Sequence, residues 1–258
     1  MRPLHVHPTL GKGYGWRPGL PSHKHPLRTA HVEMAALPPM VDLRPKCPPV
    51  YDQGQLGSCT ANAWAGLGEF LQMEEKIPSY TPSRLFIYYC ERDEDGDVDQ
   101  DAGSSLSTGA NVVSTLGCPN ETLWPYVVAD FADKPPADAY AAGLQNLVLS
   151  PQQVQQTLAA MKSVLADGLP IAIGFTVYES FESAAVASTG IVPMPGRGEQ
   201  VLGGHAVDVV GYVDSLARFI VRNSWGTDWG MDGYFEIPYA YLTNPRLASD
   251  FWMADKIA

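Results

Sequence analysis

The sequence predicts an α+β fold of two lobes with a cleft between them. Two observations carry that expectation. Helical periodicity dominates the first half of the chain and strand alternation the second, a segregation that suits α+β architecture. The chain is also 258 residues long, enough for one large domain or two small lobes around a real core.

The elements follow in chain order. Residues 1–39 hold seven prolines and four glycines and show no sustained period, so they read as an extended, surface-lying segment. The body starts near Met40. The first strong helix runs from Cys59 to about Met73, where Ala63, Trp64, Leu67, Phe70 and Leu71 form one apolar stripe. Gly54, Gly57 and Ser58 precede it as a tight turn. A second helix fits Pro82–Cys90. A third is expected from Pro151 to Asp167, with Ser150 and Gln153 as a capping box, Pro151 at N1 and Gly168 as C-cap. Strands follow. Ile171, Ile173, Phe175 and Val177 alternate, as do Ala206, Asp208, Val210 and Tyr212, and Phe219–Asn223 and Tyr234–Ile237 read as further strands. Asp208, on the strand face opposite His205, is expected to be structural and hydrogen-bonded.

Composition narrows the function. A chain 45% hydrophobic and 17% charged is globular rather than disordered. With Lys+Arg 17 against Asp+Glu 28 and a net charge of -11, it lacks the basic field that holds nucleic acid. No run approaches the roughly 18 apolar residues of a membrane helix, so no membrane partner is expected. Charge is also unevenly spread. Residues 1–37 hold Arg2, Lys12, Arg17, Lys24 and Arg28 against Glu33, leaving 12 basic and 27 acidic residues in the body. A basic tail could therefore lie on an acidic body. The start has no apolar run followed by a small-residue cleavage site, so it does not read as a secretory signal, and localisation stays open. Cys47, Cys59, Cys90 and Cys118 are too few for a disulfide scaffold and lack zinc spacing. No cofactor or metal is expected.

Histidine placement is the most informative count. His5, His7, His23, His25 and His31 lie in the tail, and the body has only His205. Any histidine chemistry of the body must use it. Cys59 stands at the head of the apolar helix, where the macrodipole favours a thiolate. An imidazole beside it would take the proton. The alternative for a lone cysteine is a small buried hydrophobe. The approach Gln53-Gly54-Gln55-Leu56-Gly57-Ser58 favours the reactive reading, because it can expose the sulfur at a lobe surface.

These residues carry a resemblance. Gln53-Gly54-x-x-Gly57-Ser58-Cys59, Gly204-His205-Ala206-Val207 and Asn223-Ser224-Trp225-Gly226-Thr227-x-Trp229-Gly230 resemble the papain-like cysteine peptidases, over roughly residues 42–241. Val41-Asp42-Leu43-Arg44 and Trp124-Pro125-Tyr126 are similar to segments of bacterial and secreted branches. The resemblance implies a papain-like two-lobed fold, with a helical lobe over about 50–148 and a β-rich lobe over about 149–245. It implies Cys59 as nucleophile, His205 as base and then acid, and Asn223 as the residue holding the imidazole tautomer. Gln53 and the Cys59 backbone N–H would stabilise the oxyanion, a donor being typically worth ~10²–10³ in rate. Trp225 would shield the His–Asn hydrogen bond. Gly103, Gly204 and Ala206 would bind a protein or peptide substrate, with an apolar side chain two residues before the scissile bond.

The sequence also departs from the family pattern. Leu56 replaces a common cysteine, Asp101-Ala102-Gly103-Ser104-Ser105 stands where its usual partner lies, and Thr60 replaces an aromatic residue. The family's mature chain usually begins about two dozen residues before the nucleophile, between Glu33 and Pro38. Residues 1–37 are accordingly expected to be an N-terminal extension that obstructs the cleft as an intramolecular pro-segment, ahead of a peptidase domain at 38–258. A disordered leader is the alternative.

Other features are read as incidental. Glu91-x-Asp93-x-Asp95-Gly96 begins like a calcium loop, but position twelve is Ala102, so a solvated acidic loop is expected through Asp101. His5-x-His7 and His23-x-His25 lack a third ordered ligand. Two rival functions stand beside a cysteine endopeptidase. A Cys-dependent acyl transferase or transglutaminase-like enzyme usually carries Asp where this chain has Asn223. A non-catalytic papain-fold binding protein tends to lose its nucleophile, and Cys59 is present.

Overall fold

The computed structural model describes residues 12–19 and 24–257. His5, His7 and His23 lie outside the described residues. The helices are α1 (Cys59–Glu74), α2 (Arg84–Asp95), α3 (Leu106–Thr115), α4 (Ala137–Gly143), α5 (Leu158–Ala166), α6 (Ala184–Thr189) and α7 (Tyr239–Leu242). The strands are β1 (Leu27–Arg28), β2 (Met40–Asp42), β3 (Val148–Leu149), β4 (Gln152–Val154), β5 (Ile171–Tyr178), β6 (Val201–Val213), β7 (Arg218–Arg222), β8 (Tyr234–Pro238), β9 (Ala248–Met253) and β10 (Lys256–Ile257). This is the α+β arrangement expected.

The main sheet runs in the order β1-β4-β9-β5-β6-β7-β8, with β2 also on β6. Strand β6 is its backbone. Its first part pairs antiparallel with β5, Phe175 facing His205, and its end pairs with β7 and β2. Two hydrophobic clusters result. One packs Ile171, Ile173, Phe175, Val207, Val209 and Phe235 of the sheet. The other packs α1, α2 and α3 around Trp64, Leu67, Phe86, Leu106 and Val113. The cleft lies between these cores.

Helix α1 is more deeply buried than a single apolar stripe implies. Cys59 through Gln72 are all buried, so its polar residues need partners. Asn62 Nδ2 donates to the Ser58 carbonyl at 2.9 Å, and Glu69 accepts from the Tyr51 hydroxyl. Beneath the helix, Asp208 and Arg222 form a buried pair at 3.8 Å. Burial pushes the Asp208 carboxyl up to about 7, against the pull of Arg222. Asp208 is structural, as an ion pair; its Oδ1 has no hydrogen-bond partner among the described residues.

Three local expectations are corrected. The third helix begins at Leu158 rather than Pro151, because residues 148–154 are drawn into strands on β10, β9 and β1. Thr157 is its cap, accepting from the Ala160 N–H at 3.2 Å, and Ser150 takes a left-handed φ of 50°. The acidic run is not a solvated loop. Glu91, Asp93, Glu94 and Asp95 are on α2, Glu91 is fully buried against Thr60, and Asp101 accepts from the Gly57 N–H at 3.0 Å. The tail does not lie wholly on the surface, since Tyr14 and Trp16 are 1% and 6% exposed.

Candidate active site

Helix α1 presents Cys59 at its first residue, and β6 brings His205 to the same place. The Cys59 sulfur accepts the backbone N–H of Ala206, the residue after His205, and that of Gly15. From the neighbouring strand end, Asn223 Oδ1 stands 2.8 Å from His205 Nε2. That oxygen also accepts the Ser224 backbone N–H at 2.9 Å, which fixes the orientation of the amide. The imidazole therefore carries its hydrogen on Nε2. Nδ1 is left as a buried lone pair without a hydrogen-bond partner among the described residues.

Trp225 covers this pair. Its ring stacks on His205 with centroids 4.9 Å apart and planes 28° from parallel. Gln53 is fully buried and oriented from behind. Its Oε1 accepts the Ser224 hydroxyl at 2.6 Å, so Nε2 faces the cleft and donates to the carbonyls of Leu56 and Gly13 at 2.8 and 3.1 Å. The strip 51–53 is tied to 224–226 by Gln53 N–H to Ser224 O and Gly226 N–H to Tyr51 O.

Residues 12–19 run through the cleft as an added strand. Trp16 N–H donates to Gly204 O at 3.0 Å, Ser104 N–H to Gly15 O at 2.9 Å, and Arg17 N–H to Ser104 O at 2.8 Å. Trp16 and Ser104 pair in parallel. The fit demands glycine at position 15, where a Cβ would stand 1.7 Å from the Gly57 carbonyl oxygen. Tyr14 lies edge-on to His205 at 5.7 Å. Both ends are held by charge, with Lys12 on Asp52 at 2.5 Å and Arg17 on Asp95 and Asp97 at 2.7 and 3.0 Å.

Covering the site changes its electrostatics. Burial pushes the Cys59 thiol up to about 12, although the N–H groups of Ala206 and Gly15 oppose it. Burial likewise brings His205 down to about 4, against the hydrogen bond to Asn223. Desolvation outweighs the helix dipole here. With the tail in place, burial disfavours the charged forms of both thiol and imidazole.

The structure brings together Cys59, His205, Asn223, Gln53, Gly204, Ala206 and Trp225. Gly103 is at the cleft but differs from expectation. Its N–H donates to the Tyr88 hydroxyl at 3.0 Å, and Ser104 makes the backbone pairs instead. Sequence reasoning missed Ser224 as the orienter of Gln53, although it sits inside the Asn223-Ser224-Trp225 motif. Among the described residues no group of three His, Cys, Asp or Glu side chains is arranged for a metal, and no helix is long and apolar enough to cross a membrane. All four cysteines are free thiols.

Comparison with known proteins agrees with this geometry. Residues 37–250 match the sequence model of the papain family cysteine proteases. The chain is 39% identical over 243 residues to an uncharacterized peptidase C1-like protein of Acanthamoeba polyphaga mimivirus, covering 89% of this chain and 78% of that protein. It is 33% identical over 214 residues to procathepsin L of Rattus norvegicus, covering 79% of this chain and 61% of that one. Among solved structures, xylellain, a cysteine protease from Xylella fastidiosa, superposes with a TM-score of 0.91 at 36% identity, covering 100% of this chain and 99% of that one.

Proposed function

This chain belongs to the papain family of cysteine proteases, and on that premise we propose how its residues divide the hydrolysis of a peptide bond. Cys59 is the nucleophile. Its sulfur attacks the scissile carbonyl carbon while its proton passes to His205 Nδ1. Asn223 holds the Nε2 hydrogen, so the ring that accepts the proton stays in one orientation. Gln53 Nε2–H and the Cys59 backbone N–H receive the oxyanion. His205 then gives its proton to the leaving amine, and water, deprotonated by His205, hydrolyses the acyl-enzyme. The substrate is a protein or peptide laid along Gly204 and Ser104.

The observation that carries this division is the 2.8 Å contact between His205 Nε2 and Asn223 Oδ1. It leaves Nδ1 as the basic atom of a ring whose strand neighbour, Ala206, donates to the Cys59 sulfur. Residues 1–37 act as a pro-segment ahead of a peptidase domain at 38–258. Gly13 takes up the Gln53 donor and Gly15 lies on Cys59, so the chain described is the blocked form.

Two full-length variants test the reading. Gly15→Val cannot seat the segment against Gly57, and turnover of a fluorogenic peptide should rise at least tenfold. Adding Cys59→Ala should abolish that turnover and its labelling by a thiol-directed epoxide. Turnover that survives Cys59→Ala would remove Cys59 from the mechanism, and unchanged turnover in Gly15→Val would remove the blocking role.

A further inference from the structure

The carboxylate of Asp101 is aimed at a single peptide unit ahead of Cys59. Its two oxygens accept the Gly57 backbone N–H at 3.0 and 3.1 Å. That N–H belongs to the peptide between Leu56 and Gly57, whose carbonyl oxygen accepts Gln53 Nε2–H at 2.8 Å. The bond is trans. A trans peptide is planar, so its N–H and C=O point in opposite directions and cannot turn separately. Holding the N–H therefore fixes the carbonyl that receives Gln53.

Asp101 is itself held from α2. Tyr88, fully buried, donates its hydroxyl hydrogen to Asp101 Oδ1 and accepts the Gly103 N–H at 3.0 Å. Arg92, also fully buried, lies 4.2 Å over the Tyr88 ring and donates to the carbonyls of Val98, Gln100 and Phe131. The stretch leading to Asp101 thus closes around two buried side chains, which gives the carboxylate a fixed place. With Leu56 and Asp101-Ala102-Gly103 at these positions, hydrogen bonds tie the turn before Cys59 to the opposite wall.

Gln53 is consequently gripped at each polar atom. Its Oε1 accepts the Ser224 hydroxyl, one Nε2 hydrogen goes to Leu56, and the other goes to Gly13 of the tail. When the tail leaves, the second hydrogen is freed and the first stays on Leu56. We propose that Asp101 is a positioning residue of the reaction, which acts through the Leu56–Gly57 peptide to keep the freed Gln53 hydrogen aimed at the oxyanion. This rests on the cysteine protease reading, with Gln53 as an oxyanion donor. A donor already in place stabilises the developing charge without reorganising at the moment of reaction. A hydrogen bond to the peptide N–H also polarises the carbonyl at its other end and strengthens the bond to Gln53. Without the carboxylate the Gly57 N–H loses its partner, the peptide can rotate, and Gln53 loses the acceptor that aims it.

The test uses full-length Gly15→Val enzyme, whose cleft is open, with active sites counted by a thiol-directed epoxide so that partial misfolding cancels. Asp101→Ala should lower kcat on a fluorogenic peptide roughly tenfold or more, with KM within about threefold. Asp101→Asn keeps the size of the side chain. Because both Asp101 oxygens face the Gly57 N–H, its amide sets a donor against that N–H, and kcat should fall roughly threefold or more. Each variant is then repeated in a Gln53→Ala enzyme. There Asp101 has nothing left to aim, and either substitution should lower kcat less than about twofold further. A merely structural residue would instead multiply its loss with that of Gln53→Ala. That multiplied loss, a loss confined to KM, or an unchanged kcat in both Asp101 variants overturns the positioning role and leaves the protease reading intact. Failure of the epoxide to label Cys59 in the Gly15→Val parent would overturn both.

Discussion

Trp225 lies on the ring of His205, centroids 4.9 Å apart and planes 28° from parallel. The indole roofs the hydrogen bond from His205 Nε2 to Asn223 and excludes water that would compete for it. Trp225→Ala should lower kcat roughly tenfold by loosening the imidazole, a positioning effect. It also removes a large buried side chain that meets Phe181, Trp229 and Tyr14, costing about 3–5 kcal/mol of stability. Trp225→Phe should recover most of the rate. Stopped-flow turnover and thermal unfolding of the three proteins separate the two effects. A Trp225→Ala enzyme with full kcat would show that the roof is only structural.

The limits of sequence reading are visible at particular residues. Helix α1 and much of strands β5 to β8 are legible because their apolar residues recur at helix or strand spacing, although α1 is buried on all sides and β6 begins at Val201, before its alternating stretch. The catalytic set was legible because Cys59, His205 and Asn223 each sit in a motif. Residues 148–154 were misread because Ser150, Pro151 and Gln153 satisfy local helix-start rules, while their partners are strands nearly a hundred residues downstream. Helix α3 and strand β9 are short and lack a sustained apolar period of their own. The hydrogen bond from Trp16 to Asp250 is illegible from sequence because the two residues lie 234 apart.

Gln53 depends on Ser224, whose hydroxyl donates to Oε1 at 2.6 Å. Without that donor the amide can flip and offer oxygen to the oxyanion. Gln53→Ala should therefore reduce kcat by ~10²–10³. Ser224→Ala should reduce it by roughly tenfold, with KM nearly unchanged. Steady-state kinetics on one peptide measure both. A loss confined to KM in Ser224→Ala would count against the orienting role.

The tail is fastened by exposed or half-exposed pairs, Lys12 with Asp52 and Arg17 with Asp95 and Asp97. Such pairs contribute about 0–1 kcal/mol each and weaken with salt. Lys12→Ala and Arg17→Ala together should raise basal peptide turnover of the full-length protein by roughly two- to tenfold. Wild-type turnover should rise with ionic strength, and the double variant should respond less. Equal salt responses in the two proteins would show that the charges do not hold the tail.

Acid should open the cleft, and the direction follows from His205. Burial under the tail holds the imidazole down at about 4, against an ordinary value of 6.5. A basic group depressed in this way supports the closed form fully above 6.5, and that support is lost as pH falls from 6.5 toward 4. Each unit of difference is worth about 1.4 kcal/mol. Cys59 acts at the other end. Raised to about 12 from 9, it supports the closed form below 9 and withdraws that support as pH rises from 9 toward 12. Asp208 is set by Gly66 and Arg222 beneath α1, so it contributes equally with the tail in or out and cancels. The closed form is thus most stable between about 6.5 and 9. The alkylation rate of Cys59 in the wild type, divided by that in Gly15→Val at the same pH, should be lowest in that window. It should rise at least tenfold by pH 4.5. Dividing removes the intrinsic pH dependence of thiol reactivity, so a ratio that stays flat from pH 8 to 4.5 would show that His205 protonation is not coupled to release of the tail.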